Sequence, residues 1–241
     1  MSSRKSVIPT EDRQSFDDCA AHYGEIVDSA IRASGESTVY FAQLKARLTA
    51  HELLGRIVAT VLDFGCGIGM STSALAAAIP QARITGCDTS SESIARARAT
   101  NVSEQPVFVT FAGGRVPFEQ NSFDVVFTSC VFHHIERSEH RAWARELWRV
   151  LRPGGSLLLF EHNPYNPLTV RAVRRIPFDR GVILLRPSYT IRMLRDAGFD
   201  TRRPVFYFFF PNFLGRFRSL ERFMTRLPFG AQYYVHARRP V

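Results

Sequence analysis

Between residues 57 and 162, short apolar runs alternate with stretches whose apolar positions recur every three or four residues. The runs at 57–63, 83–87, 107–111, 123–129 and 156–160 are too short for helices and rich in β-branched and aromatic residues, so they read as strands. Segments 71–79 and 139–151 read as helices, the second with Trp143, Leu147, Val150 and Leu151 on one face and arginines on the other. A further helix opens at Thr89-Ser90-Ser91-Glu92, a capping box in which a hydroxyl and a carboxylate satisfy the first unbonded amides. Pro153-Gly154-Gly155 is expected to end the helix before it, because neither residue type continues a helix easily. The run 156–160 is apolar throughout, as suits a strand covered on both faces. Strands alternating with helices predict parallel pairing with right-handed crossovers.

The flanks differ. Tyr23, Ile26, Val27 and Ile31 lie on one helical face that Gly35 would stop, and a second helix is predicted over 38–54. At the end of the fifth strand, residues 161–167 are expected to break into an exposed loop, and helices are expected over 168–176 and 189–197. Segments 205–210 and 232–237 look like two final strands. Between them, 213–227 carries Phe213, Phe217, Leu220, Met224 and Leu227 on one face and arginines elsewhere. Such a helix either caps the core, the preferred reading, or lies on a membrane surface. No linker or repeat interrupts the chain, which predicts one domain: residues 1–54 a helical lid, 55–162 the core, 163–241 a basic region with closing strands.

Gly65, Gly67 and Gly69 follow the first strand at alternate positions and precede a helix, so a ligand can lie against bare backbone beside helix-start amides. Asp88 closes the second strand at the spacing where nucleoside-binding α/β folds place a carboxylate on ribose hydroxyls. The pattern departs from the dinucleotide fingerprint, since Met70 stands where the third glycine would fall.

The run from Asp63 through Gly65-Cys66-Gly67-Ile68-Gly69 resembles motif I of the class I S-adenosylmethionine-dependent methyltransferases. Two later stretches resemble the same family in order and spacing: Pro117-Phe118 with residues 122–135, which contain His133-His134-Ile135, and residues 147–158 around Pro153-Gly154-Gly155. The resemblance implies a Rossmann-like, doubly wound α/β fold: a mostly parallel seven-stranded sheet, an antiparallel closing strand and N-terminal lid helices. It implies S-adenosylmethionine as the cofactor, held by Asp63, Gly65, Cys66, Gly67, Gly69, Asp88, Thr89, Gly113, Ser129 and Cys130. Residues 16–23 resemble the family's F-D-x-x-A-x-x-Y entry, which adds Tyr23, Tyr40 and Lys45 as cofactor or acceptor contacts. Where relatives often carry an acid before the glycine, this chain has Ala112, so adenine-side contacts would come from backbone near Gly113 or be absent.

Composition sharpens the picture in one place. The chain of 241 residues carries a net +9, yet from Tyr165 onward fifteen arginines face Asp179, Asp196, Asp200 and Glu221. The back third is therefore strongly basic, and it either meets an anionic acceptor, lipid surface or nucleic acid, or is simply a solvated basic face. Cys19, Cys66, Cys87 and Cys130 show no C-x-x-C spacing and read as small core residues of a reducing compartment, so no metal is expected. Residues 1–10 lack an apolar stretch and no apolar run approaches a spanning length, which predicts a cytoplasmic protein, with peripheral membrane contact as an alternative.

Methyl transfer to a hydroxyl needs a base, and His162, His133 and His134 fall near the predicted crevice. His162, beside Glu161 and Asn163, is the first choice. The expected function is methyl transfer to a small-molecule or lipid- or sugar-linked acceptor at oxygen. The alternatives are a methyltransferase for RNA or protein, or a non-catalytic cofactor-binding module. No N-P-P-Y-type loop follows the fourth strand, which argues against methylation of a flipped base.

Overall fold

The computed structural model describes residues 22–101 and 105–241. Cys19 and residues 16–21 of the expected entry motif lie outside the described residues. Helices α1 (Tyr23–Ile31) and α2 (Thr38–Glu52) precede the alternating region. That region runs β1 (Thr60–Phe64), α3 (Met70–Ala78), β2 (Arg83–Asp88), α4 (Ser91–Thr100), β3 (Val107–Thr110), β4 (Phe123–Ser129), α5 (His140–Val150) and β5 (Leu151–His162). Then follow α6 (Pro167–Val173), α7 (Pro187–Asp196), β6 (Asp200–Thr201), β7 (Val205–Tyr207), α8 (Glu221–Met224) and β8 (Gln232–Arg238).

The sheet order is β3-β2-β1-β4-β5-β8, with β1 to β5 parallel and β8 antiparallel to β5. The seventh position is shared by two short strands, β6 and β7, that pair with different stretches of β8. Side chains alternate across the sheet. Leu62, Phe64 and Val126 enter one core with Trp143 and Leu147, while Val61, Val125 and Phe127 enter the other with Leu75 and Phe160. Strand order reverses between β1 and β4, and this switch point opens a crevice beyond their carboxyl ends.

Several boundaries differ from the sequence pattern for local reasons. β1 begins at Thr60, because the Asp124 carboxylate takes the amides of Ala59 and Thr60, both at 2.9 Å. The cap of α4 is Ser90, whose hydroxyl accepts from the Ser93 amide, and Glu92 pairs with Arg96 instead. Pro153-Gly154-Gly155 lies inside β5: Leu151 already pairs with Phe123, and the register shifts before Ser156 meets Val125. β7 stops at Tyr207 because the Glu221 carboxylate captures the amides of Phe208, Phe209 and Phe210 at 3.0–3.1 Å and turns the chain off the sheet.

The stretch expected as one amphipathic helix over 213–227 is a 3-10 segment, Asn212–Leu220, joined to the short α8. Leu214 interrupts the helical geometry, and neither piece buries a residue, so the segment does not cap the core. Among the described residues no helix is long and apolar enough to cross a membrane.

The lid is tied down at its far end. Glu52, in the last turn of α2, accepts from Tyr234 Oη at 2.9 Å and lies 2.8 Å from His236 Nδ1, both on β8. The bond to His236, with that from Tyr234, outweighs burial and lowers the Glu52 carboxyl from 4.5 to about 2. A depressed carboxyl pKa stabilises the fold above the unfolded value and loses that contribution as pH falls towards the folded one. Glu52→Gln should therefore cost about 2 kcal/mol at neutral pH, at the low end for bonds to a half-solvated charge. In denaturant titrations the gap to the parent should begin to close below about pH 4.5. A gap that does not change with pH would show that the charge does not anchor the lid.

Candidate active site

The glycine loop joins β1 to α3 in a left-handed conformation, with φ of +74° at Gly65 and +51° at Gly67. A Cβ on Gly65 would stand 2.4 Å from Val131 Cγ2, so this position requires a bare backbone. A Cβ on Gly67 would meet nothing within 4 Å, because that residue faces an open space. Gly67 N donates to Asp88 Oδ2 at 2.8 Å, and Ser90 N donates to Asp88 Oδ1 at 2.9 Å. One carboxylate thus fastens the loop to the approach of α4.

A cavity of about 480 Å³ lies over this platform. Its floor includes Gly65, Cys66, Gly67, Asp88, Thr89, Ser129 and Cys130. Helices α1 and α2 form the roof through residues such as Tyr23, Val27, Phe41 and Lys45, as a lid would. Tyr23 stacks on Phe178 with ring centroids 5.2 Å apart.

Four residues expected at the site stand off the cavity wall. Asp63 is buried behind the loop, where its carboxylate accepts from Thr72 Oγ1 at 2.7 Å. Burial, partly offset by that bond, raises its carboxyl from 3.8 to about 7. Its part is therefore to hold the start of α3 from behind the cavity wall. Gly69 is backed by the Phe108 ring. Gly113 lies outside the wall, which Phe111 lines instead. Tyr40 turns away to pack on Phe41 and Phe208, and its hydroxyl accepts from Arg218 at 3.0 Å.

Beyond β4 and β5 the wall becomes polar. Lys45 Nζ donates to Ser129 Oγ at 2.7 Å and lies 3.6 Å from Cys130 Sγ. Cys130 has φ +58°, a rare conformation for a side-chain-bearing residue. Burial pushes its thiol up, but the adjoining His162 and Lys45 outweigh burial and bring it down to about 6. Cys130 thus differs from the buried Cys66 and Cys87, whose thiols burial pushes up.

The three histidines are not equivalent. His133 Nδ1 lies 2.6 Å from Glu161 Oε2, and its Nε2 points towards Asp179 Oδ1 at 3.8 Å. Burial works against charge on His133, but Glu161 and Asp179 overcome it and hold the ring well above the ordinary imidazole range. Burial likewise opposes charge on Glu161, and His133 keeps its carboxyl low. His134 Nε2 lies 3.2 Å from Asp179 Oδ1. Burial and the neighbouring His133 hold His134 below the ordinary range, so it stays neutral. The glutamate expected to orient His162 therefore serves His133, and Gln232 Nε2 lies 3.4 Å from His162 Nδ1. His133, His134 and Asp179 also place one ligand atom each within 4.8 Å of one another, the one such group among the described residues that could hold a metal ion.

Asp179 was not foreseen. It sits in the 3-10 turn Pro177–Asp179, beyond any recognisable motif, and only the path of the chain after α6 brings it to the histidines. Phe178 and Ile176 of the same stretch are cavity residues with no signal in the sequence.

The floor suits the adenosyl cofactor that the loop implies. The Asp88 carboxylate lines the cavity beside the loop, and an ionised acceptor there suits ribose hydroxyls. Beside it, Thr89 Oγ1 is buried on the cavity wall without a hydrogen-bond partner among the described residues. Gly67 leaves room for close approach to backbone.

Comparisons with known proteins agree with this arrangement. A methyltransferase domain family matches residues 62–159, from β1 into β5. Trans-aconitate 2-methyltransferase of Azoarcus sp. is 34% identical over 141 residues, 57% of this chain and 53% of that protein, so the chain spans about half that relative's length. Demethylmenaquinone methyltransferase of Deinococcus radiodurans is 31% identical over 168 residues, 68% of this chain and 67% of that protein. A crystal structure of a SAM-dependent methyltransferase from Thermotoga maritima shares the fold with a TM-score of 0.65 at 17% identity, covering 94% of this chain and 99% of the other. With the glycine platform, the Asp88 carboxylate and the roofed crevice at the sheet's switch point, these similarities show that the chain belongs to the class I S-adenosylmethionine-dependent methyltransferases.

Proposed function

We propose that this protein transfers a methyl group from S-adenosylmethionine to the hydroxyl of an apolar small molecule. The observation that carries this reading is the shared wall of one cavity: the nucleoside platform on one side, a carboxylate-held imidazole pair on the other. Bound S-adenosylmethionine supplies an electrophilic methyl carbon on a sulfonium. Asp88 and Thr89 are the groups for its ribose hydroxyls, and Phe111 adds apolar lining to the same cavity.

The acceptor side is lined by Val27, Phe41, Val173, Ile176, Phe178 and Phe209. Such a wall binds apolar surface and excludes water, and a dry site favours a displacement in which charge on sulfur disappears. The relatives are named for different acceptors, so the lining and not the names supports this class.

Oxygen as the target follows from the proton. A hydroxyl must lose its proton as it attacks, and a neutral imidazole held by a carboxylate can receive it. We assign this role to His134, the neutral imidazole of the pair, which lines the cavity with its Nε2 3.2 Å from Asp179 Oδ1. His133 already carries a proton between Glu161 and Asp179, so it serves as a fixed positive neighbour. Lys45 Nζ and Cys130 Sγ, 3.6 Å apart, add polar groups at the β4 end.

Asp88→Ala should weaken S-adenosylmethionine binding at least tenfold by calorimetry, since it removes the ribose acceptor and unfastens Gly67. Undiminished affinity would place the cofactor elsewhere. Labelled methyl groups should enter the organic-soluble fraction of a cell extract, and label found only in RNA or protein precipitates would favour those acceptors instead. With the acceptor so found, His134→Ala should lower kcat roughly 100-fold or more while cofactor affinity holds. Asp179→Asn should lower kcat less, and His162→Ala least. If His162→Ala alone abolishes turnover, the base lies at the end of β5.

A further inference from the structure

The rim of the cavity carries the least buried apolar side chains near the site. Leu168, at the start of α6, and Phe213, in the 3-10 segment, both line the cavity yet are 74% and 77% exposed. The apolar surface continues outward. Leu220, Phe223 (73% exposed), Leu227 and Phe229 follow Phe213 along the chain, and Asn166 Nδ2 donates to Phe229 O at 2.7 Å, which joins this stretch to the α6 side of the rim.

Arginines frame the same face. Arg171 and Arg175 line the cavity, Arg174 stands beside them, and Arg216, Arg222 and Arg226 flank the outer phenylalanines. All six are exposed, and none has a carboxylate within 4.0 Å among the described residues. The acids that could neutralise the face are spent elsewhere. Glu221 turns inward to the amides of Phe208–Phe210, and Asp179 is buried against the histidines. Arg216 and Arg222 lie 4.6 Å over the rings of Phe217 and Phe223, so cation and ring are presented together.

We propose that the face formed by α6, the 3-10 segment Asn212–Leu220 and α8 docks the protein on an anionic membrane surface, with the cavity mouth against the lipid. Two features select a bilayer over other occupants. Exposed aromatic and leucine side chains gain by entering the acyl boundary, whereas surrounding arginines gain at anionic headgroups; an interfacial segment combines both. The apolar face is also continuous with the apolar wall of the cavity, so a lipid-soluble acceptor could pass from bilayer to site without crossing water. The acceptor's source rests on the function proposed above, but docking can be measured without it.

The test is flotation of the full chain with vesicles, in the absence of acceptor. It should float with phosphatidylcholine vesicles containing phosphatidylglycerol and much less with phosphatidylcholine alone, and rising salt should weaken it. Arg222→Gln with Arg226→Gln should reduce binding about tenfold or more, as the loss of two surface cations implies. Phe223→Ser should do the same. None of these residues lines the cavity, so S-adenosylmethionine affinity should be unchanged in each variant, which also verifies folding. Failure of the parent to float with either vesicle, or undiminished flotation of the variants, would overturn the proposal. A dimer in light scattering that Phe223→Ser dissociates, without vesicle binding, would overturn it by assigning the face to a second copy. Flotation lost in the variants with methyl transfer to a detergent-dispersed acceptor intact would uphold docking. Flotation of the parent, with labelled methyl groups entering only RNA or protein precipitates of a cell extract, would leave docking standing and count against the proposed function alone.

Discussion

The Asp88 carboxylate binds two backbone segments that the chain would otherwise leave apart. One oxygen takes the Gly67 amide and the other takes the Ser90 amide. Hydrogen bonds to an ionised group contribute more than neutral ones, about 1.5–3 kcal/mol each. They hold the loop in a left-handed path that a side chain at Gly65 would block. The geometry of the cavity floor follows from this clamp, because the loop, Thr89 and the start of α4 are all set by it. Asp63 braces the same loop from behind through Thr72. The two acids thus divide the work: one faces the cavity and one is buried beneath it.

The opposite wall is arranged by charge. Two carboxylates, Glu161 and Asp179, face two imidazoles, His133 and His134, in a buried cluster. A buried charge is costly unless it is paired and hydrogen-bonded, and here His133 and Glu161 pair at 2.6 Å. Burial, with the first imidazole beside it, holds the second neutral, which gives adjacent residues in the chain opposite proton states. Sequence adjacency alone would have made them look alike.

Much of the fold was legible because it depends on local periodicity. Five parallel strands, their helices and the antiparallel β8 all correspond to apolar runs, and the glycine loop with Asp88 follows from backbone chemistry and spacing. Most of the floor of the candidate site could therefore be read from residues 65–89, with Ser129 and Cys130 added at the end of β4. Its far wall could not. Asp179 reaches His134 across 45 positions of sequence, through a turn with no motif, and Glu161 bonds His133 and not its neighbour His162. The amphipathic pattern of 213–227 was real, but the helix it implied was not formed, because Glu221 is committed to the amides of Phe208–Phe210 and Leu214 leaves helical geometry. Periodicity reports which side chains share a face and does not say whether that face meets the core or stays exposed.

The fold alone does not select the reaction, since one architecture hosts many chemistries. The account depends on one crevice in which the loop and Asp88 meet a ligand together. Hydrogen exchange with and without S-adenosylmethionine tests this most directly. The account predicts slowed exchange concentrated at the amides of residues 65–71 and 88–93. Binding that leaves both segments unchanged, with protection gathered elsewhere, would contradict it.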